Sequence, residues 1–201
     1  AAGLGRAHTG LAGAAALRAS AQQIVFQNYV MAVEDAERRR DALTEQIGAL
    51  TPSWSMAPVV AALQALRGMA LVSAATLLAE IGDLRRFANP QQLMSHLGLV
   101  RSEQSSGVCV RRGGITKTGN VSARRIMVEA AWSYRLPARV GRTILEGLQS
   151  LPKAVRDIAW KAQVRLCARY RRLAGAGKKL PLVTTAIAQI AWLLLICRKH
   201  A

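Results

Sequence analysis

The sequence predicts a mainly α-helical protein: an N-terminal coiled-coil-like helix, then a helical domain interrupted by a Gly/Ser-rich basic loop. Three observations carry that expectation. Phe26, Tyr29, Val33, Ala36, Arg40, Leu43, Ile47 and Leu50 recur at alternating short spacings, the seam of a coiled coil or of a long packed helix. Apolar runs of helical length follow, each bounded by Gly or Pro. Hydrophobic residues make up 51% of the 201 positions, enough for a real core rather than a disordered chain.

Residues 1–20 are rich in Ala and Gly and read as a linker or ragged N-terminus. Leu11 to Leu17 is a poor apolar stretch for a signal peptide. Residues 21–52 hold the long helix. Opposite its seam lie Glu34, Asp35, Glu37, Arg38, Arg39, Asp41 and Glu45. Arg40 interrupts the seam. Packing on its own domain and pairing with another copy both fit this pattern. Thr51-Pro52-Ser53 ends the helix, because proline cannot continue it.

Residues 53–201 form the remaining domain. A short helix spans 57–66, with Pro58 in its first turn. A tight turn at 66–70 leads into a second helix, 72–81, closed by Gly82-Asp83. Leu63, Leu66, Gly68, Met69, Ala70 and Ala74 together resemble a helix-hairpin-helix DNA-binding element. In that element, backbone amides meet a phosphate at a helix N-terminus. Ala70 stands where a second glycine is usual, and an ordinary helical hairpin fits the same residues. Asn89-Pro90 opens a helix over 91–97 that ends at Gly98.

The segment 98–120 is the polar centre of the chain. It contains Ser102, Ser105, Ser106, Gly107, Gly113, Gly114 and Gly119, with the cations Arg111, Arg112 and Lys117. Glycine lets a backbone approach a ligand closely. Hydroxyls, amides and fixed positive charge are what a phosphodiester asks of a protein. A brief strand at Val108–Val110 is expected to turn at Gly113-Gly114. Asn120 is the N-cap of a helix over 121–134, with Met127, Ala130, Ala131 and Tyr134 inward. Arg124 and Arg125 fall in its first turn, against the helix dipole, and a bound anion would explain them.

A long helix over 153–173 carries Val155, Ile158, Ala162, Leu166, Tyr170 and Leu173 on one side. Lys153, Arg156, Lys161, Arg165, Arg169, Arg171 and Arg172 lie on the other. A solvated face and a face tracking a phosphate backbone both read this way. The last helix spans 182–197. Its apolar part, from Ala186 to Cys197, is shorter than the roughly 20 residues that cross a membrane.

Charge bounds the partners. Against 28 Lys and Arg stand 11 Asp and Glu, a formal net charge of +17. Nucleic acid comes first among partners and an anionic membrane surface second. The 4% aromatic content is too thin for a base-stacking platform. Cys109, Cys167 and Cys197 are scattered, without Cys-x-x-Cys, and read as reduced thiols of a cytoplasmic protein. His8, His96 and His200 have no metal-ligand spacing.

Gly68 to Tyr134 resembles the C-terminal domain of transposases of the insertion-sequence 110/116/902 family, the bridge-RNA-guided DEDD/serine recombinases. The carrying residues include Leu66-Arg67-Gly68, Ala79-Glu80-Ile81-Gly82-Asp83 and Leu93-Met94-Ser95-His96-Leu97-Gly98-Leu99-Val100. Ser105-Ser106-Gly107, Arg112-Gly113-Gly114-Ile115-Thr116-Lys117-Thr118-Gly119-Asn120 and Val128-Glu129-Ala130-Ala131-Trp132 complete them. The likeness is strongest over 63–135.

The resemblance implies a function in DNA transposition and recombination. It implies that Ser106 is the serine that attacks DNA, with Ser105 as fallback. Arg111, Arg112, Lys117, Arg124, Arg125 and the backbone at Gly68 are then the nucleic-acid contacts. It implies a structured guide RNA, and a homo-oligomer joined through residues 24–50. It also implies a RuvC-like acidic domain holding Mg2+, which this sequence is expected to lack, so that no cofactor is expected in this chain and cleavage is expected to need that domain. Arg101 stands where the family carries proline, and residues 189–201 drift from the pattern. A non-catalytic basic nucleic-acid-binding module, or a transposase remnant, is the alternative.

Overall fold

The computed structural model describes residues 20–106, 109–141 and 149–189, with the side chains of Ser20, Ala21, Gln104, Val110, Arg111 and Arg112 excepted. The N-terminal linker and the end of the last helix, 190–197, lie outside the described residues. The chain divides into two units, Ala1–Gln46 and Ile47–Ala201.

Helix α1 (Ser20–Leu50) supplies the described part of the first unit. Its charges pair locally, Arg38 with Asp35 and Arg40 with Asp41. Exposed pairs of this kind add little. Its seam side chains Phe26, Tyr29, Val33 and Leu43 are exposed, Tyr29 to 71%. In the second unit a single 3-10 turn, Thr51–Ser53, stops the helix at Pro52. The Thr51 hydroxyl donates to the Ile47 carbonyl at 2.6 Å, taking up one acceptor that the helix end leaves open.

Helices α2 (Ala57–Gln64) and α3 (Leu71–Ile81) pack on each other and are joined through a turn at Gly68, whose φ is +83°. Gly82 closes α3 with φ +71°, its N–H donating to the Leu78 carbonyl at 2.8 Å. Helix α4 (Pro90–His96) starts where the Asn89 side chain accepts from the Gln92 amide at 3.0 Å. Helix α5 (Val121–Trp132) starts in the same way, Asn120 accepting from Ala123 at 2.8 Å. Each such cap satisfies an amide with no partner inside the helix. A 3-10 turn, Ser133–Arg135, follows, then α6 (Lys153–Gly175) and α7 (Leu180–Ala188).

Helix α5 is central: it packs against α3 on one side and α7 on another, and α7 packs against α6. Leu63, Leu77, Leu78, Ile81, Leu93, Leu97, Leu99 and Ile187 are fully buried. Each contributes about 1.5–3 kcal/mol by leaving water. The inward set expected on α5, Met127, Ala130, Ala131 and Tyr134, is buried.

The polar centre is not a loop with one brief strand. Strands β1 (Arg101–Ser106) and β2 (Cys109–Ile115) form an antiparallel hairpin. The expected turn at Gly113-Gly114 is absent; both glycines lie within β2. The strands join instead through residues 107 and 108, which lie outside the described residues. The glycines serve pairing. A Cβ on Gly113 would overlap the Ser102 hydroxyl, beside the register irregularity between Arg101 and Glu103. That hydroxyl donates to the Gly114 carbonyl at 3.1 Å.

Candidate nucleic-acid interface

The far end of the hairpin presents the serines. Ser106 pairs with Cys109, Ser105 with Val110, Gln104 with Arg111 and Glu103 with Arg112. Ser105 and Ser106 are both exposed. Successive residues of a strand point to opposite faces, so the two hydroxyls are offered on different sides. The Ser105 hydroxyl donates to the Glu103 carboxylate at 2.8 Å, two residues back on the same face. That acceptor has no signal in the sequence, because it depends on the segment being a strand. The backbones of Arg111 and Arg112 lie opposite Gln104 and Glu103; their side chains lie outside the described residues.

The near end of the hairpin is a separate place. Arg101 pairs with Ile115 there. Five strand residues at about 3.3 Å each put Ser106 roughly 16 Å farther along. Lys117, Arg124 and Arg125 follow from the near end, so the strand carries the serines away from these three cations. Lys117 has φ +57°, a left-handed conformation uncommon outside glycine. Its amide donates to the Gly98 carbonyl at 3.1 Å, and its side chain is exposed.

Arg124 is half-buried and bound to the fold. Its guanidinium donates to the Leu97 carbonyl at 3.0 Å and the Thr118 carbonyl at 3.3 Å. Arg125 is exposed and pairs with Glu129, one turn on, at 2.7 Å. Protein oxygens therefore supply the negative partners that the first-turn placement of both cations called for. The Arg125 pair is exposed and exchangeable; the Arg124 contacts hold the C-terminal end of α4. Asn120, besides capping α5, donates to the Glu80 carboxylate of α3 at 2.7 Å. Its backbone amide donates to the His96 carbonyl of α4 at 3.2 Å, so three elements meet at this residue.

Gly68 serves packing. A Cβ there would lie 2.6 Å from the Ala130 carbonyl and 2.7 Å from the Ser133 hydroxyl. The turn therefore sits tight on the end of α5. Helix α3 beyond it starts at Ala70 without a side-chain cap.

The profile of the transposase IS116/IS110/IS902 family matches residues 60–143. Over that span the chain is similar to transposases of the IS116/IS110/IS902 family. A putative transposase of Sinorhizobium fredii is 51% identical over 143 residues, 71% of this chain and 37% of that protein. The transposase for insertion sequence element IS1533 of Leptospira borgpetersenii is 28% identical over 160 residues, 79% of this chain and 46% of that protein. An insertion element IS110 protein of Streptomyces coelicolor is 29% identical over 110 residues. The chain spans less than half the length of these relatives.

The matched segment runs from within α2 through α5 and includes both strands of the hairpin. Helix α6 follows it and adds the broadest basic surface. Lys153, Arg156, Lys161, Arg165, Arg169, Arg171 and Arg172 are all exposed, while Val155, Ala162, Leu166 and Tyr170 face the core. The two sets separate because helical spacing sorts them onto opposite faces. Trp160, 45% exposed, stands among the cations.

A second cluster escaped the sequence reading. Arg86 hydrogen-bonds His96 Nε2 at 3.0 Å and lies over the Phe87 ring at 4.6 Å. Phe87 and His96 have ring centroids 5.4 Å apart. Burial first, and the Arg86 charge second, hold the His96 imidazole below its ordinary pKa. The described residues do not fit a metal: no three His, Cys, Asp or Glu side chains gather among them. No described helix is long and apolar enough to cross a membrane.

Proposed function

We propose that this chain is the DNA-binding, serine-bearing part of a DNA transposase, with Ser106 as the nucleophile for strand exchange and Ser105 as the fallback. The observation that carries the reading is the hairpin of the matched segment, which exposes both serines at its far end, opposite Val110 and Cys109 and next along β2 to the Arg111–Arg112 backbone. A hydroxyl attacking phosphorus needs access to the diester and positive charge around its oxygens. Access comes from exposure. Charge comes from Arg111 and Arg112 on the paired strand, with phosphates of flanking duplex held by Lys117, Arg125 and the α6 face. The turn at Gly68 adds a backbone phosphate contact at the α3 N-terminus.

Asp35 and Asp41 of α1 pair with neighbouring arginines, and the magnesium chemistry that the family resemblance implies belongs to an acidic domain. The exposed seam of α1, residues 24–50, joins copies of the chain. A structured guide RNA, implied by the family resemblance, chooses the DNA sequence, and the complex works in the cytoplasm without a membrane. The test is recombination with the acidic domain supplied in trans. Ser106→Ala abolishes strand exchange and leaves DNA binding intact, whereas Ser105→Ala retains exchange. Full exchange by both variants would overturn the nucleophile.

The exposed basic face of α6, which can hold phosphates without any nucleophile, favours a second reading, a basic nucleic-acid-binding module without catalysis. Under it, neither serine matters in any assay.

A further inference from the structure

An open cavity of about 550 Å³ lies between the near end of the hairpin and α7. Its size falls within the roughly 300–1,000 Å³ of small-molecule sites. Three cations line it: Arg101 from β1, Lys117 after β2 and Lys178 before α7. Ile115, Leu173 and Val183 make an apolar floor. No lining residue carries a carboxylate among the described residues. Gln189 closes one side, its amide fixed by donation to the Leu99 carbonyl at 2.9 Å.

This combination selects a ligand. A bare phosphate has no use for an apolar floor. An apolar peptide has no use for three cations and leaves them without counter-charge. A nucleotide has a flat body that tolerates burial against apolar side chains and an anionic arm that needs positive charge. A side-chain amide at the rim can donate to or accept from the edge of a base.

We propose that this cavity takes one unstacked nucleotide of bound single-stranded DNA, its base on Ile115, Leu173 and Val183 and its phosphate among Arg101, Lys117 and Lys178. The proposal rests on the DNA-binding reading above and extends it. The hairpin links the cavity to Ser106, so the captured nucleotide lies a few positions from the diester offered to the serine. Holding it fixes the register of the strand along the hairpin, which is how phosphate contacts alone position a backbone without reading it.

Gly114 makes the cavity testable. It lines the cavity, and a Cβ there meets nothing within 4 Å, so Gly114→Leu adds bulk at the lining without a clash at its Cβ. Leu182 also lines it and is 64% exposed, so Leu182→Glu introduces a repelling carboxylate at little structural cost. Gly175→Leu, outside the cavity and equally free of neighbours, is the control. The full chain is titrated into single-stranded DNA carrying 2-aminopurine at successive positions, with matching RNA in parallel. At one or two positions the fluorescence is expected to rise at least twofold with the wild type and with Gly175→Leu. The rise is expected to be lost with Gly114→Leu and Leu182→Glu, while circular dichroism stays unchanged.

A rise that survives both variants overturns the cavity as its source. DNA binding with no rise at any position overturns the proposal and leaves the DNA-binding reading intact. A rise with RNA alone overturns the assignment to DNA. Failure to bind any DNA removes the reading on which the proposal rests, and the proposal with it.

Discussion

Arg124, in the first turn of α5, donates to the carbonyl of Leu97 at the end of α4, 3.0 Å away and 27 residues earlier in the chain. The same guanidinium nitrogen reaches the Thr118 carbonyl at 3.3 Å. It thereby ties the exit from the hairpin to the helix that precedes it. Hydrogen bonds from a charged donor contribute about 1.5–3 kcal/mol. Arg124→Ala is expected to destabilise the chain by about that amount in urea denaturation. Arg124→Lys, whose point-charge ammonium lacks the planar fork, should recover part of it. A phosphate-only role for Arg124 predicts unchanged stability and weakened DNA binding.

Glycines that look alike in the sequence are expected to differ in cost. A Cβ on Gly98 would overlap the Thr118 carbonyl oxygen, and one on Gly119 the His96 carbonyl oxygen; both residues have positive φ. The left-handed conformation alone costs an alanine about 1–2 kcal/mol. Overlap with backbone adds to that, because a carbonyl cannot turn aside as a side chain does. Gly98→Ala and Gly119→Ala should each lower stability by more than about 2 kcal/mol. Gly114→Ala should fall within about 0.5 kcal/mol of the wild type. Equal melting temperatures for all three would show that the crossing of these segments is loose.

These contrasts mark what was legible in the sequence. The Asn120 cap was, because its acceptor serves an amide only three residues on. The basic face of α6 was, because its periodicity is local. The hairpin was not. Gly113-Gly114 is a strong turn signal on its own, and only the partner Ser102 on β1 explains the pair as strand. The bond from Arg124 to the Leu97 carbonyl was not legible, because its acceptor lies 27 residues earlier. Glu103 beside Ser105 needed the alternation of a strand to be seen at all. Local chemistry could be read; whatever depends on a partner fixed by the fold could not.

His96 is expected to titrate below the ordinary histidine value near 6.5, since burial and the Arg86 charge both oppose its protonation. The sign for stability follows. The folded state binds a proton less readily than the unfolded state, so stability rises with pH across this window. The contribution is fully present above the unfolded value and is lost as pH falls through the folded one. Proton NMR of the imidazole should show the depressed titration, and Arg86→Ala should move it part of the way back. A titration in Arg86→Ala identical to the wild type would remove Arg86 as a cause and leave burial alone.

DNA affinity is expected to depend steeply on salt. With about six phosphates neutralised on duplex DNA, the slope of log affinity against log salt should be roughly −5, as counterions are released. The exposed Arg169 and Arg172 stand on the outer face of α6, clear of the core side chains Leu166 and Tyr170. The double variant Arg169→Ala, Arg172→Ala should therefore keep its fold. Its slope should shrink by about two, with affinity falling by a similar factor for every sequence tested, as expected for phosphate contacts that read no base. A slope unchanged in the double variant would take α6 off the DNA and leave the hairpin and Lys117 as the binding surface. A flat salt response of the wild type would count against any nucleic-acid partner, because the net charge of +17 has no other consequence so directly measurable.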